Sequence, residues 1–126
     1  MKAKLLSAYG YQGDAMNLPV ADAEKSAAYY VEKFGFEIVE RIDDPVKKVV
    51  LSRDGIQMAV AENGGDPEQD GCAFHTDNVE ALRDEFIAAG LDKIGAIDTE
   101  HRDGSTFRVF FVVAPDGLCF WFGQRQ

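Results

Sequence analysis

The chain has 126 residues, 46% of them hydrophobic and 28% charged, with a formal net charge of −9. That length fits one domain, and the apolar share excludes a disordered chain. A surface this acidic repels phosphate backbones, which argues against nucleic acid as a partner, and no apolar run approaches the roughly 20 residues that span a bilayer.

The N-terminus, MKAKLLSAYGYQGD, begins basic, but its apolar stretch is too short for a secretory signal, so the expected location is cytoplasmic. Residues 14–20, DAMNLPV, read as a short strand ending in a turn. Asp22 is placed to cap a helix over about 22–34, where Ala27, Tyr30, Val31 and Phe34 recur at the helical period and Gly35 ends it. Residues 36–41 and 47–52 read as strands, Asp54-Gly55 as a hairpin turn, and 56–61 as the returning strand. The run ENGGDPEQDG, residues 62–71, is a solvated connector.

The second half repeats this order. Residues 72–76 read as a strand, and Asp77 or Asn78 caps a helix over about 78–89 with Val79, Leu82, Phe86 and Ala89 on one face and Gly90 at its end. Residues 93–97 read as extended, 98–105 as an exposed polar loop, and 106–113 and 118–122 as strands joined by Pro115-Asp116-Gly117. Two copies of strand–helix–strand–strand–strand make an internal repeat and predict an α+β fold. The expected organisation is one domain over 1–126, with module one at about 14–61, the connector at 62–71 and module two at about 72–123.

Three segments, NLPVADAEKSAAYYVEKFGFEI, FHTDNVEALRDEFIAAGL and VVAPDGLCFWFGQ, resemble the glyoxalase/bleomycin resistance/dioxygenase (vicinal oxygen chelate) superfamily. The resemblance covers about residues 14–123. It implies two βαβββ modules forming a curved mixed sheet around a cleft, a small-molecule ligand and a homodimer. It also implies metal ligands at positions 15, 71 and 121 and near 57 or 58. Those positions hold Ala15, Gly71, Trp121 and Gln57 or Met58. Alanine, glycine and tryptophan side chains cannot ligate a divalent cation, and LCFWFG contains no acid that a shifted alignment could bring in. The expectation is therefore no metal, no cofactor and no catalytic residue.

Strand alternation then extends the same face to Asn17, to Ala73 and His75, and to Cys119 and Gly123. The candidate ligand-binding set is Asn17, His75, Phe110, Cys119 and Trp121. The same alternation puts Cys72 and Cys119 on opposite sheet faces, which disfavours a disulfide between them. Bland readings stand beside these: His75 as a satisfied structural histidine, Trp121 as core, both cysteines as free thiols, and His101 with Asp98, Glu100 and Asp103 as a solvated loop.

Two functions fit the sequence. One is a binding protein that sequesters a cationic or aromatic small molecule, such as an antibiotic, without metal catalysis. The other is a lyase, isomerase or dioxygenase of the same superfamily with atypical ligands drawn from His75, His101 and a loop carboxylate.

Overall fold

The computed structural model describes residues 3–126. The first repeat supplies β2 (Leu18–Pro19), α1 (Ala23–Phe34), β3 (Glu37–Ile42), β4 (Lys48–Arg53) and β5 (Ile56–Ala61). The second supplies β6 (Gly71–Thr76), α2 (Val79–Ala88), β7 (Asp98–Arg102), β8 (Ser105–Val113) and β9 (Cys119–Arg125). A strand at the start of the chain, β1 (Leu5–Gly10), precedes both. Each repeat forms its own sheet, ordered β2-β5-β4-β3 and β6-β9-β8-β7, and β1 adds to the free edge of β6. The architecture is α+β, two βαβββ modules, as the resemblance implies.

Local chemistry explains most boundaries. The Asp22 carboxylate accepts a hydrogen bond from the Lys25 N–H, and Gly35 takes the left-handed conformation that ends α1. Asn78 does for α2 what Asp22 does for α1, accepting from the Ala81 N–H. Asp54 and Gly55 both have positive φ, the geometry of a two-residue hairpin turn between β4 and β5.

Both helices face a common core. Phe34 of α1 stacks on Phe86 of α2 at 4.8 Å and touches Phe120 and Phe122 of β9 edge-on. Val31 belongs to the expected apolar face of α1 but is exposed; Ala23 and Ser26 are buried instead, which rotates the buried face about the helix axis away from Val31. The modules are also clamped by Arg53 of β4. Its buried guanidinium makes a bidentate pair with Glu85 of α2 at 2.7 and 2.9 Å and donates to the carbonyls of Phe34 and Ala3.

Two segments differ from expectation. The polar run expected as a loop after residue 97 is strand β7, the outer edge of its sheet, while 93–97 is not a strand. The expected strand at 14–20 shrinks to Leu18–Pro19, because Asp14 accepts from the Met16 N–H and the Asn17 side chain and so curls the backbone into a turn. Among the described residues no helix is long and apolar enough to cross a membrane.

Candidate functional site

The five-stranded sheet has two unlike faces. On β9, Phe120 and Phe122 point into the core, while Cys119, Trp121 and Gly123 point away from the helices. The register extends that outer face sideways in rows. Tyr9 of β1 lies opposite Ala73 of β6, Ala73 beside Trp121, and Trp121 opposite Phe111 of β8. The adjacent row runs from Gly71 through Cys119 to Val113, with Tyr11 donating its N–H to the Gly71 carbonyl at 2.9 Å. Another runs from Ser7 through His75 and Gly123 to Val109.

These rows describe a trough. Small residues, Gly71, Ala73 and Cys119, form the floor. Large apolar residues stand on either side, and the chain itself leaves them uncovered: Tyr9 is 64% exposed, Phe111 42% and Val113 59%. The Tyr11 hydroxyl reaches the Cys119 sulfur at 3.9 Å, and burial beside that thiol holds the phenol well above its ordinary pKa. A depression of about 450 Å³ lined by Pro67, Glu68, Val113 and Cys119, among others, adjoins this end.

Trp121 closes the other end. Its indole lies down across Gly123, where a Cβ would run into the ring, so the glycine is what permits this pose. His75 packs edge-on against the indole at 4.9 Å, and Phe107 does so at 5.6 Å. The indole N–H donates to Glu100 Oε1 at 3.2 Å. Arg102 pairs with the same Glu100 oxygen and holds its guanidinium carbon 5.3 Å from the ring centroid. Trp121 is consequently only 2% exposed although it lies outside the helix-facing core. Burial, and secondarily Arg102, lower the His75 pKa from 6.5, so the ring is held neutral near pH 7.

The structure gathers three of the five expected ligand-contact residues, His75, Cys119 and Trp121, on one face. Phe110 is not among them. It is fully buried on the helix side, stacked on Phe122 at 5.1 Å, because it pairs with Phe122 and shares that residue's face. Asn17 is also elsewhere. It sits beside the other sheet, donating to Asp14 and accepting from Lys48 and Asn63 through its side-chain and backbone oxygens. His101 is on β7, exposed, with its Nδ1 3.1 Å from the Thr106 hydroxyl. Cys72 and Cys119 are free thiols facing opposite sides of adjacent strands; burial pushes the Cys72 thiol up to about 12. Sequence reasoning missed Tyr9, Tyr11 and Arg102, and read Glu100 as part of a solvated loop. Their signal was a β-strand pairing about 65 residues away and an edge strand written in polar residues.

The metal positions of the resembled family do not fit this chain. A side chain at position 71 would collide with the Cys119 carbonyl, so no ligand could stand there without moving β9. The indole fills position 121, and the Met58 side chain is buried in the core. Among the described residues no three His, Cys, Asp or Glu side chains converge. A second depression of about 410 Å³, lined by Asp22, Lys25, Ser26, Tyr29 and Asp116 among others, is built for structure. Its Asp116 carboxylate already accepts from Tyr30 at 2.5 Å, Ser26 at 2.9 Å and the Leu118 N–H, which fixes the turn between β8 and β9.

Comparison with known proteins agrees with this architecture. No protein with a curated description matches the chain. Among solved structures it is similar to the bleomycin resistance determinant encoded on transposon Tn5, with 25% identity over 88% of this chain and 95% of that one and a TM-score of 0.69. It is similar to a bleomycin-binding protein solved in complex with bleomycin, with 24% identity, 89% and 97% coverage and a TM-score of 0.71. A virulence protein of Salmonella typhimurium shares the fold at 18% identity, 88% and 94% coverage and a TM-score of 0.68. Residues 13–122 match the profile described as the glyoxalase/bleomycin resistance protein/dioxygenase superfamily, and the chain belongs to that family.

Proposed function

We propose that this protein binds a flat, partly apolar small molecule in the trough on the outer face of the five-stranded sheet, without metal catalysis. The observation that carries the reading is the pair of rows Tyr9–Ala73–Trp121–Phe111 and Gly71–Cys119–Val113. Tyr9, Phe111 and Val113 stand half-uncovered around a floor of small residues, with the buried Trp121 at one end. Apolar walls with a few convergent polar groups are the general form of a small-molecule site. Here the polar groups are His75, Glu100, the Tyr11 hydroxyl and the Cys119 thiol. Membership of a family that includes bleomycin-binding proteins supports a binding or resistance role. The donor set argues against catalysis by a bound divalent cation, because side chains capable of ligation are absent at positions 15, 71 and 121.

A homodimer is part of the same proposal. Tyr9, Phe111 and Val113 leave an apolar surface that a second chain could roof, and two-fold dimers are the commonest assembly of soluble chains. Light scattering at micromolar concentration should return twice the chain mass; a monomer contradicts this part.

The binding reading is tested by calorimetric titration with bleomycin in the presence of a chelator. Binding that is lost in a Tyr9→Ala, Phe111→Ala double variant supports the site. No binding of bleomycin or of other flat cations, or stoichiometric transition metal in protein purified without chelator, turns the assignment toward the superfamily's enzymes.

A further inference from the structure

We infer that the Trp121–Glu100 corner is a subsite for a guanidinium or amidinium group, and that Arg102 occupies it in the free protein as an internal placeholder. The inference rests on the trough being a binding site and names the chemistry of one end of its ligand. Three observations point to it. First, the corner already holds a planar cation: the Arg102 guanidinium lies over the indole at 5.3 Å while pairing with Glu100. Second, the anion is placed for that cation. Glu100 Oε1 accepts from the indole N–H at 3.2 Å, a tie to the ring's edge that does not involve Arg102. Third, the occupant is easily removed. Arg102 ends the outermost strand of the sheet, beside the Asp103-Gly104 turn, and its side chain is largely solvent-exposed, whereas the indole beneath is not.

Those facts define selectivity. A flat cation can keep contact with the ring face and give hydrogen bonds to Glu100 in the same plane. A neutral amide of the same shape keeps the stacking and loses the charge. A ligand carrying the cation must displace Arg102, whose side chain is already more than half exposed and can turn into solvent. Arg102 therefore weakens binding of the right ligand modestly, and screens the indole from uncharged aromatics.

The test uses benzamidine and its neutral isostere benzamide, followed through the single indole N–H signal that this one-tryptophan chain gives by NMR. Benzamidine should bind Arg102→Ala more tightly than the parent, by about two- to five-fold, the gain of a vacated cation–π contact. Adding Glu100→Gln should reduce that gain, and benzamide, which keeps only the stacking, should gain less than benzamidine. Arg102→Gln, which keeps the length of the side chain, should behave like Arg102→Ala and guards against a disturbed hairpin. Equal benzamidine affinity in parent and Arg102 variants, or an equal gain for benzamide, overturns the placeholder. Either result leaves the trough itself to be judged by the Tyr9 and Phe111 variants.

Discussion

The two faces of the five-stranded sheet are both aromatic, yet they are built by different rules. The inner face stacks Phe74, Phe110, Phe120 and Phe122 with Phe34 and Phe86 from the helices, all essentially without exposure and none with a polar atom. The outer face pairs its rings with partners that can recognise something: a histidine, a carboxylate, a guanidinium, a thiol and two phenols. Its outer rings remain half in water. A face that evolved only to be covered needs no such groups, and burying them would cost free energy unless each were satisfied. Under the proposed function, stability belongs to one side of β9 and recognition to the other, one residue apart.

Truncation should separate the faces most sharply. Phe122→Ala removes a ring that touches Phe34, Phe74, Phe86 and Phe110, and should cost about 3–5 kcal/mol in denaturant melts. An intermediate effect is expected at the hinge between the faces. Gly123→Ala places a methyl where the Trp121 ring lies, so the indole must lift, at about 1–3 kcal/mol and with a red shift of its emission. If emission and stability are both unchanged, the indole does not lie across Gly123.

Smaller still are the rim residues. Tyr9→Ala and Phe111→Ala should each alter the stability of the chain's own fold by only about 0.5–1 kcal/mol, since much of either ring lies outside the chain's own packing. They should nevertheless weaken ligand binding several-fold, the worth of a stacked contact. A stability loss at these positions as large as that of Phe122→Ala would erase the distinction between the faces. The smallest effect is a pH slope. His75 titrates below 6.5 in the folded chain and at its ordinary value when unfolded, so between those values the unfolded state binds more protons. The stability this neutral ring contributes is present above 6.5 and is lost as pH falls toward the folded value. His75→Gln should flatten that part of the stability profile, and an unchanged slope would mean that another group carries it.

Much of the fold was legible in the sequence because its signals are local. Asp22, Gly35, Asn78 and the Asp54-Gly55 turn each act within five residues of themselves, and the helical period of Tyr30, Phe34, Leu82 and Phe86 needs no knowledge of the rest of the chain. The site was legible only where strand alternation held. It held on β6 and β9, so His75, Cys119 and Trp121 share a face. It failed at Asn17, because the Asp14 side chain bends the chain before β2 and ends the alternation. Phe110 was misplaced for another reason: the face of β8 depends on its register with β9, and register is a long-range property. The strands β1 and β7 were invisible for the same reason. Leu5–Gly10 becomes a strand because β6 offers a free edge, and the polar DTEHR sequence of β7 is what a solvent-facing edge strand tolerates.

The two cysteines allow the division between the faces to be measured without a mutation, since Cys72 lies on the inner face and Cys119 on the outer face of neighbouring strands. Native protein treated with a small thiol-alkylating reagent should label one thiol per chain, Cys119, with Cys72 reacting only on unfolding. Saturation with a bound ligand should slow the labelling of Cys119 severalfold. Labelling of both thiols in the native state, or a Cys119 rate that ligand leaves untouched, would contradict recognition on the outer face of the sheet.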